Sequence, residues 1–246
     1  MLSATALERL RTAKRVVALT GAGISAESGV PTFRDAQTGL WAKYRAEELA
    51  TPEAFLQNPR VVWDWYVWRR QLTDQAQPNP GHTALVEFQK RFETFTLITQ
   101  NVDGLHARAG SRDVLELHGS IATTLCFDEQ TPVIDFEDDG STSPRCPRCG
   151  GLLRPGVVWF GESLPRAILE RAERAAATCD VLLSIGTSSL VHPAAGLPLL
   201  AKQRGALLIE VNPSPTPLTP HADQVLSGPA GQVLPQLLQQ LGADLG

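Results

Sequence analysis

Five short, near-continuous aliphatic runs decide most of what this 246-residue chain can fold into: VVALT at 16–20, FTLIT at 95–99, VLELH at 114–118, VLLSIG at 181–186 and ALLIEV at 206–211. A strand with one wet face alternates apolar and polar residues. Runs without that alternation suit strands covered on both faces, as in a parallel sheet. Helical stretches are predicted over 50–77, 81–91, 164–178, 192–204 and 231–241, after an amphipathic helix from Leu2 to Ala13. Strands alternating with helices predict an α/β fold built on a doubly wound parallel sheet. Residues 119–156 break the pattern: they hold DEQ, EDDG and CPRCGG with little helical or strand period, and read as a small inserted module.

A formal net charge of −4 leaves no basic footprint for nucleic acid. No apolar run reaches the length of a membrane span, and MLSATALERLRTAKR carries charges where a signal peptide would be apolar. The expectation is a cytoplasmic monomer with neither a membrane nor a nucleic-acid partner. Four cysteines are too few to staple a chain of this length, so their placement matters more than their number.

The first run continues as VVALTGAGISAESGVPTFRD. Gly21, Ala22, Gly23, Ser25 and Ala26 fit the dinucleotide pattern G-x-G-x-x-A, in which glycines let backbone N–H groups approach a pyrophosphate and a small third residue permits close helix packing. Alone, the same pattern also serves a tight strand-to-helix turn. A dehydrogenase would need a second strand about 20 residues on, ending in an acid for the adenine ribose. That region here is WAKYRAEELATPEAF, which reads as helix, so hydride transfer is disfavoured.

Six ordered motifs are more specific: GVPTFRD, TQNVDGLHARAG, LELHGS, RPGVVWFGE at 154–162, CDVLLSIGTSS at 179–189 and GPAG at 228–231. Together they resemble the sirtuins, NAD-dependent protein deacylases, over about residues 14 to 241. The resemblance implies a Rossmann-like core from about 1–35, 78–118 and 157–246. It also implies a small helical and zinc-ribbon-like module from insertions at about 36–77 and 119–156. In the family's reaction an acyl-lysine amide oxygen attacks C1′ of the nicotinamide ribose, nicotinamide leaves, and a base then deprotonates a ribose hydroxyl. The products are free lysine, nicotinamide and acyl-ADP-ribose.

That base matches His118, an imidazole being suited to proton transfer near neutral pH. His106, inside NVDGLH, reads as a packing or capping residue. By resemblance Gln100 belongs at the ribose, and Asn101 and Asp103 in the nicotinamide pocket, though both could equally cap the following helix. Phe33 would shield the reactive C1′ face, Arg34 would answer phosphate or order its loop, and Trp41 joins the NAD set. Gly186, Thr187 and Ser188 match the adenosine side, with Asn212 and Ala230. The family often has an acid two residues after Asn212, and this chain has Ser214 there.

Sirtuins commonly carry two Cys-x-x-Cys pairs around structural zinc. Cys146 and Cys149 form one pair, but the other reads Cys126-Phe127-Asp128-Glu129. Three thiolates with Glu129 are an acceptable zinc set. Equally, the acidic loop at 128–139 would suit a module that has lost its metal. Cys179 stands apart and reads as a core residue.

VWDWYVWRR at 62–70 carries the remaining signal. Tyr66 and Arg69, three apart, share a helix face. A guanidinium and a phenol suit a carboxylate, which a neutral acetyl group lacks. This spacing resembles the desuccinylase and demalonylase branch of the family, with Ala46 as the small residue that leaves room for an acid tail. Trp63, Trp65 and Trp68 read as packing or as pocket wall. Val158, Trp159, Phe160, Gly161 and Glu162 would receive an acyl-lysine protein or peptide, with Val158 pairing to the substrate backbone by β-augmentation. The competing readings are plain lysine deacetylation, mono-ADP-ribosyl transfer, and an NAD-binding sensor without turnover.

Overall fold

The computed structural model describes residues 1–32, 44–140 and 142–242. A six-stranded parallel sheet runs in the order β3-β2-β1-β6-β7-β8. Its strands are β1 (Arg15–Thr20), β2 (Thr94–Thr99), β3 (Leu115–Glu116), β6 (Val181–Ile185), β7 (Leu207–Asn212) and β8 (Gln224–Ser227). The winding reverses between β1 and β6, where an open α/β sheet presents a crevice beyond its strand ends. Those two strands pair from Val16 with Val181 to Thr20 with Ile185, so their carboxyl ends finish level.

The aliphatic runs lack alternation because both faces of the sheet are covered. Val16 and Ala18 pack on one side with Leu85 and Phe88 of α6 (Pro80–Arg91) and Leu234 and Leu238 of α10 (Ala230–Gln240). Val17 and Leu19 pack on the other with Ala172 and Ala176 of α8 (Arg166–Thr178) and Leu197 of α9 (Leu197–Gln203). The N-terminal helix α1 (Ala4–Thr12) joins the first side through Leu10.

Several elements differ from expectation. The stretch 50–77 is split into α4 (Pro52–Gln57) and α5 (Pro59–Gln75). Asn58, ahead of a proline, is pushed out of helical conformation and instead caps α5 through the Val61 N–H. VLELH is extended only at Leu115–Glu116 before turning at His118. The inserted region holds an antiparallel pair, β4 (Gly119–Cys126) with β5 (Leu153–Val157), whose register shift between Gly119 and Thr124 erases the alternation a sequence reader looks for. Strand β8 lies outside the five aliphatic runs; it is four residues long, too short to show a period.

A third apolar cluster lies beside the sheet. It joins Ala46 and Leu49 of α3 (Ala46–Leu49), Phe55, Val62, Trp65 and Tyr66 of α4 and α5, and Ile121, Val157 and Trp159. Trp63 packs elsewhere, with Cys126, Cys146 and Leu153, and its indole N–H donates to Asp138 at 3.0 Å. Arg70 ties α5 to β4 through the Ile121 carbonyl at 2.6 Å and the Thr123 carbonyl at 3.1 Å. Among the described residues no helix is long and apolar enough to cross a membrane.

Candidate active site

The turn after β1 and the turn after β6 touch backbone to backbone. Gly21 N–H donates to the Ile185 carbonyl at 3.0 Å, and Gly23 N–H to the Gly186 carbonyl at 2.8 Å. A Cβ on Gly21 would lie 2.8 Å from Thr187 Cα, and one on Gly23 would lie 2.7 Å from Gly186 O. Gly186 itself sits at φ +58°, in left-handed territory. Side-chain-free turns are therefore required before any ligand is considered. Ala26, the last residue of α2 (Gly23–Ala26), is exposed, so the close helix packing expected of the small third residue falls to Gly23 and buried Ile24. Beside this cradle the Ser189 hydroxyl is buried without a partner among the described residues, and Gln100 Nε2 donates to Thr187 Oγ1 at 2.9 Å. A glycine-walled cradle at the switch point with an unsatisfied hydroxyl fits a dinucleotide. Ala22 and Ser188 flank it half-buried, Ala230 opens α10, and Asn212 Nδ2 is held by the Ser214 carbonyl at 2.9 Å.

Next to the cradle, Ser25 Oγ donates to Asp103 Oδ2 at 2.7 Å and accepts from Asn101 Nδ2 at 3.1 Å. Asp103 Oδ1 also caps the Leu105 N–H at 2.9 Å, at the start of α7 (Leu105–Ala109). The capping and pocket readings of Asp103 are thus compatible. His82 Nε2 lies 3.5 Å from Ser25 Oγ, and the His82 and His106 rings sit 4.9 Å apart, tilted by 57°. Burial pulls the His82 pKa down to about 4, with Asp103 opposing. Burial, with His82 adding to it, brings His106 down to about 3. Both rings are neutral at physiological pH. His106 binds Thr20 Oγ1 at 2.9 Å, as a packing residue would.

His118 lies where β3 ends. Its Nδ1 is 2.9 Å from the Gln100 carbonyl, which can only accept. Nδ1 therefore carries the proton, and Nε2 keeps its lone pair. Burial pulls this pKa below its ordinary value, opposed by the Gln100 hydrogen bond, so the basic form dominates at neutral pH.

Tyr66 is 2 % exposed, and its hydroxyl accepts from Trp159 Nε1 at 3.1 Å. Burial pushes its pKa up to about 12, with Arg69 the chief opposing influence. The Arg69 guanidinium lies 5.0 Å from the Trp65 ring centroid. Burial lowers its pKa, and Tyr66 and Asp103 oppose the shift. Ala46, 4 % exposed, belongs to the same apolar cluster as Tyr66. After β5, the N–H groups of Val158, Trp159 and Phe160 go to His118 O, Glu162 Oε2 and Ala50 O. Phe160 is exposed, and Gly161 turns the chain at φ +88°. Phe33, Arg34 and Trp41 lie outside the described residues.

Ligand atoms of Cys126, Glu129, Cys146 and Cys149 all lie within 4.8 Å of one another. Backbone N–H groups of Glu129 and Gly151 approach the Cys126 and Cys149 sulfurs at 3.4 Å. Three soft sulfurs and one carboxylate fit structural zinc, which would tie the β4–β5 pair to the loop between them. Glu129 is also bound by Arg148 at 2.9 Å, which holds its carboxyl below the ordinary range. Cys179 is a buried core residue on the α8–α9 side of the sheet, as expected.

Sequence reasoning passed over Arg154. Only 2 % exposed, it is held by both oxygens of Glu162 at 2.5 and 2.8 Å. The motif RPGVVWFGE contained both residues, but their pairing depends on the turn at Gly161.

Residues 21–193 match the model of the Sir2 family. A protein of Ralstonia nicotianae named NAD-dependent protein deacylase is 54% identical over 229 residues, covering 93% of both chains. NAD-dependent protein deacylase 1 of Pseudomonas aeruginosa is 51% identical over 95% of this chain and 97% of its own. The crystal structure of a Sir2 homologue–NAD complex superposes with a TM-score of 0.90 at 48% identity, covering 98% of this chain and 94% of that one. A Sir2 homologue variant with 2′-O-acetyl ADP-ribose gives 0.91 at 48% identity, covering all of both chains. A Sir2 protein bound to acetylated peptide gives 0.88 at 30% identity, over 99% of this chain and all of the other.

Proposed function

The chain belongs to the Sir2 family and is an NAD-dependent protein deacylase, and from that premise we propose that it prefers lysine acyl groups ending in a carboxylate, such as succinyl and malonyl. The observation that carries this reading is Tyr66: a buried phenol, protonated at neutral pH, one helical turn from the Arg69 cation and beside Ala46. A guanidinium and a phenolic O–H are both donors, matched to an acid tail and wasted on a methyl group.

NAD supplies the ribose carbon that the acyl oxygen attacks, with nicotinamide as leaving group. In this reading the Gly21–Ala26 and Gly186–Ser188 turns hold its phosphates and adenosine side, with Asn212 and Ala230 beyond. Asn101 and Asp103 orient the carboxamide, Gln100 meets the ribose, and Phe33, Arg34 and Trp41 complete the NAD set. His118 Nε2 takes the ribose hydroxyl proton. Val158 offers its carbonyl, and Gly161 its N–H, to the substrate backbone, since the N–H groups between them are spent internally. The two insertions, 36–77 and 119–156, form the small module, stiffened by zinc on Cys126, Glu129, Cys146 and Cys149. Metal analysis of purified protein should find about one zinc per chain.

Slower acetyl turnover is a second activity, favoured by the related structures with acetylated peptide and 2′-O-acetyl ADP-ribose. Nicotinamide release should be measured with one peptide carrying acetyl-, succinyl- or malonyl-lysine. The expected result is a higher kcat/KM for the acidic groups. Turnover of acetyl-lysine alone would make the protein a plain deacetylase.

A further inference from the structure

Trp159 is clamped more firmly than a pocket-lining residue requires. Glu162 Oε2 accepts its backbone N–H at 2.7 Å, the Arg154 guanidinium lies 3.5 Å from its ring centroid, and the Phe55 ring lies 5.2 Å away. Arg154 is in turn fixed by both Glu162 oxygens and by the Val157 carbonyl at 2.8 Å. A cation this far from water persists only with its donors satisfied, so this stack sets the indole plane. In that plane the Nε1–H meets Tyr66 Oη at 3.1 Å, joining residues 93 apart in sequence. A phenol accepts on one side of its oxygen and donates on the other. With the accepting side filled, the Tyr66 O–H is turned the opposite way, and none of the described residues accepts it.

We infer that Trp159 is a positioning residue for acyl selectivity: its indole N–H fixes the Tyr66 hydroxyl as a donor toward the carboxylate of an acidic acyl tail. The inference rests on the reading of Tyr66 and Arg69 as the acid-recognising pair. Burial keeps the phenol protonated across the physiological range, so the donor is always present and only its direction needs control. A phenylalanine at 159 would keep an aromatic ring over Arg154 but leave the hydroxyl free to flip.

The test is kcat and KM for succinyl- and acetyl-lysine versions of one peptide, using Trp159→Phe, Tyr66→Phe and the double variant. Trp159→Phe should lower the succinyl-to-acetyl kcat/KM ratio roughly 3- to 10-fold, the worth of one neutral hydrogen bond, chiefly through the succinyl KM. In the Tyr66→Phe background it should lower the ratio no further. A ratio that falls with Tyr66→Phe but not with Trp159→Phe overturns this inference alone. A ratio untouched by Tyr66→Phe overturns the acid-recognition reading and this inference with it. Should Trp159→Phe fold poorly, the indole 1H–15N resonance of Trp159 in the otherwise native chain gives the answer. It should shift with Tyr66→Phe and on adding succinyl but not acetyl peptide in the presence of NAD; an indole signal unmoved by Tyr66→Phe overturns the contact.

Discussion

The glycine turns at the carboxyl edge of the sheet and the apolar cluster proposed to line the acyl pocket are built from different materials. At the edge, Gly21, Gly23 and Gly186 bring backbone against backbone, and any Cβ would intrude. At the wall, Ala46, Tyr66 and Trp159 come from separate elements and meet as side chains inside one apolar cluster. Backbone shape at strand ends is fixed by the sheet, so the first region is intolerant of change. Ala46 and Tyr66 sit on helices and can be exchanged without moving the sheet, so in the proposed reading acyl preference can change while the chemistry stays the same.

The largest way to sharpen that contrast is His118→Tyr. It should cut turnover of every acyl peptide by about 10²- to 10⁴-fold, the usual worth of a general base, while NAD binding by calorimetry persists. A loss confined to acidic substrates would erase the distinction between the regions. Acid comes next, acting on the nucleotide side through His82 and His106. Their folded pKa values, about 4 and about 3, lie below the ordinary 6.5, so the unfolded chain takes up protons first as pH falls. Stability is full above about pH 6.5 and should drop by on the order of 2 kcal/mol per ring by about pH 5. Urea unfolding at the two pH values should reveal the slope, and His82→Gln should flatten it. Gly21→Ala should be the smallest of these effects, costing about 1–3 kcal/mol of stability from overpacking against Thr187. It should weaken NAD affinity while leaving the succinyl-to-acetyl ratio unchanged.

The same contrast explains what could be read from sequence. The strands and the glycine turn were legible because each is specified within a few consecutive residues. The motif singles out His118 as the candidate base, whereas its tautomer depends on the Gln100 carbonyl from another strand end. The β4–β5 pair escaped because a register shift scrambles its alternation, and the break at Asn58 hid inside one continuous helical pattern. In VWDWYVWRR the split of duties follows from partners distant in sequence: Trp63 packs with Cys126 and Cys146, Arg70 binds the β4 carbonyls, and Tyr66 joins the cluster with Trp159. The Arg154–Glu162 pair was present in a quoted motif, but a buried ion pair is recognisable only once burial is known.

Arg69→Met is the decisive variant for acidic-acyl preference, with kcat/KM measured on succinyl- and acetyl-lysine forms of one peptide. The expected loss is about 10- to 150-fold on the succinyl peptide, from about 1.5–3 kcal/mol for a charged hydrogen bond, with acetyl turnover changed no more than a few-fold. Equal losses on both peptides would make Arg69 a structural residue and remove it from acid recognition.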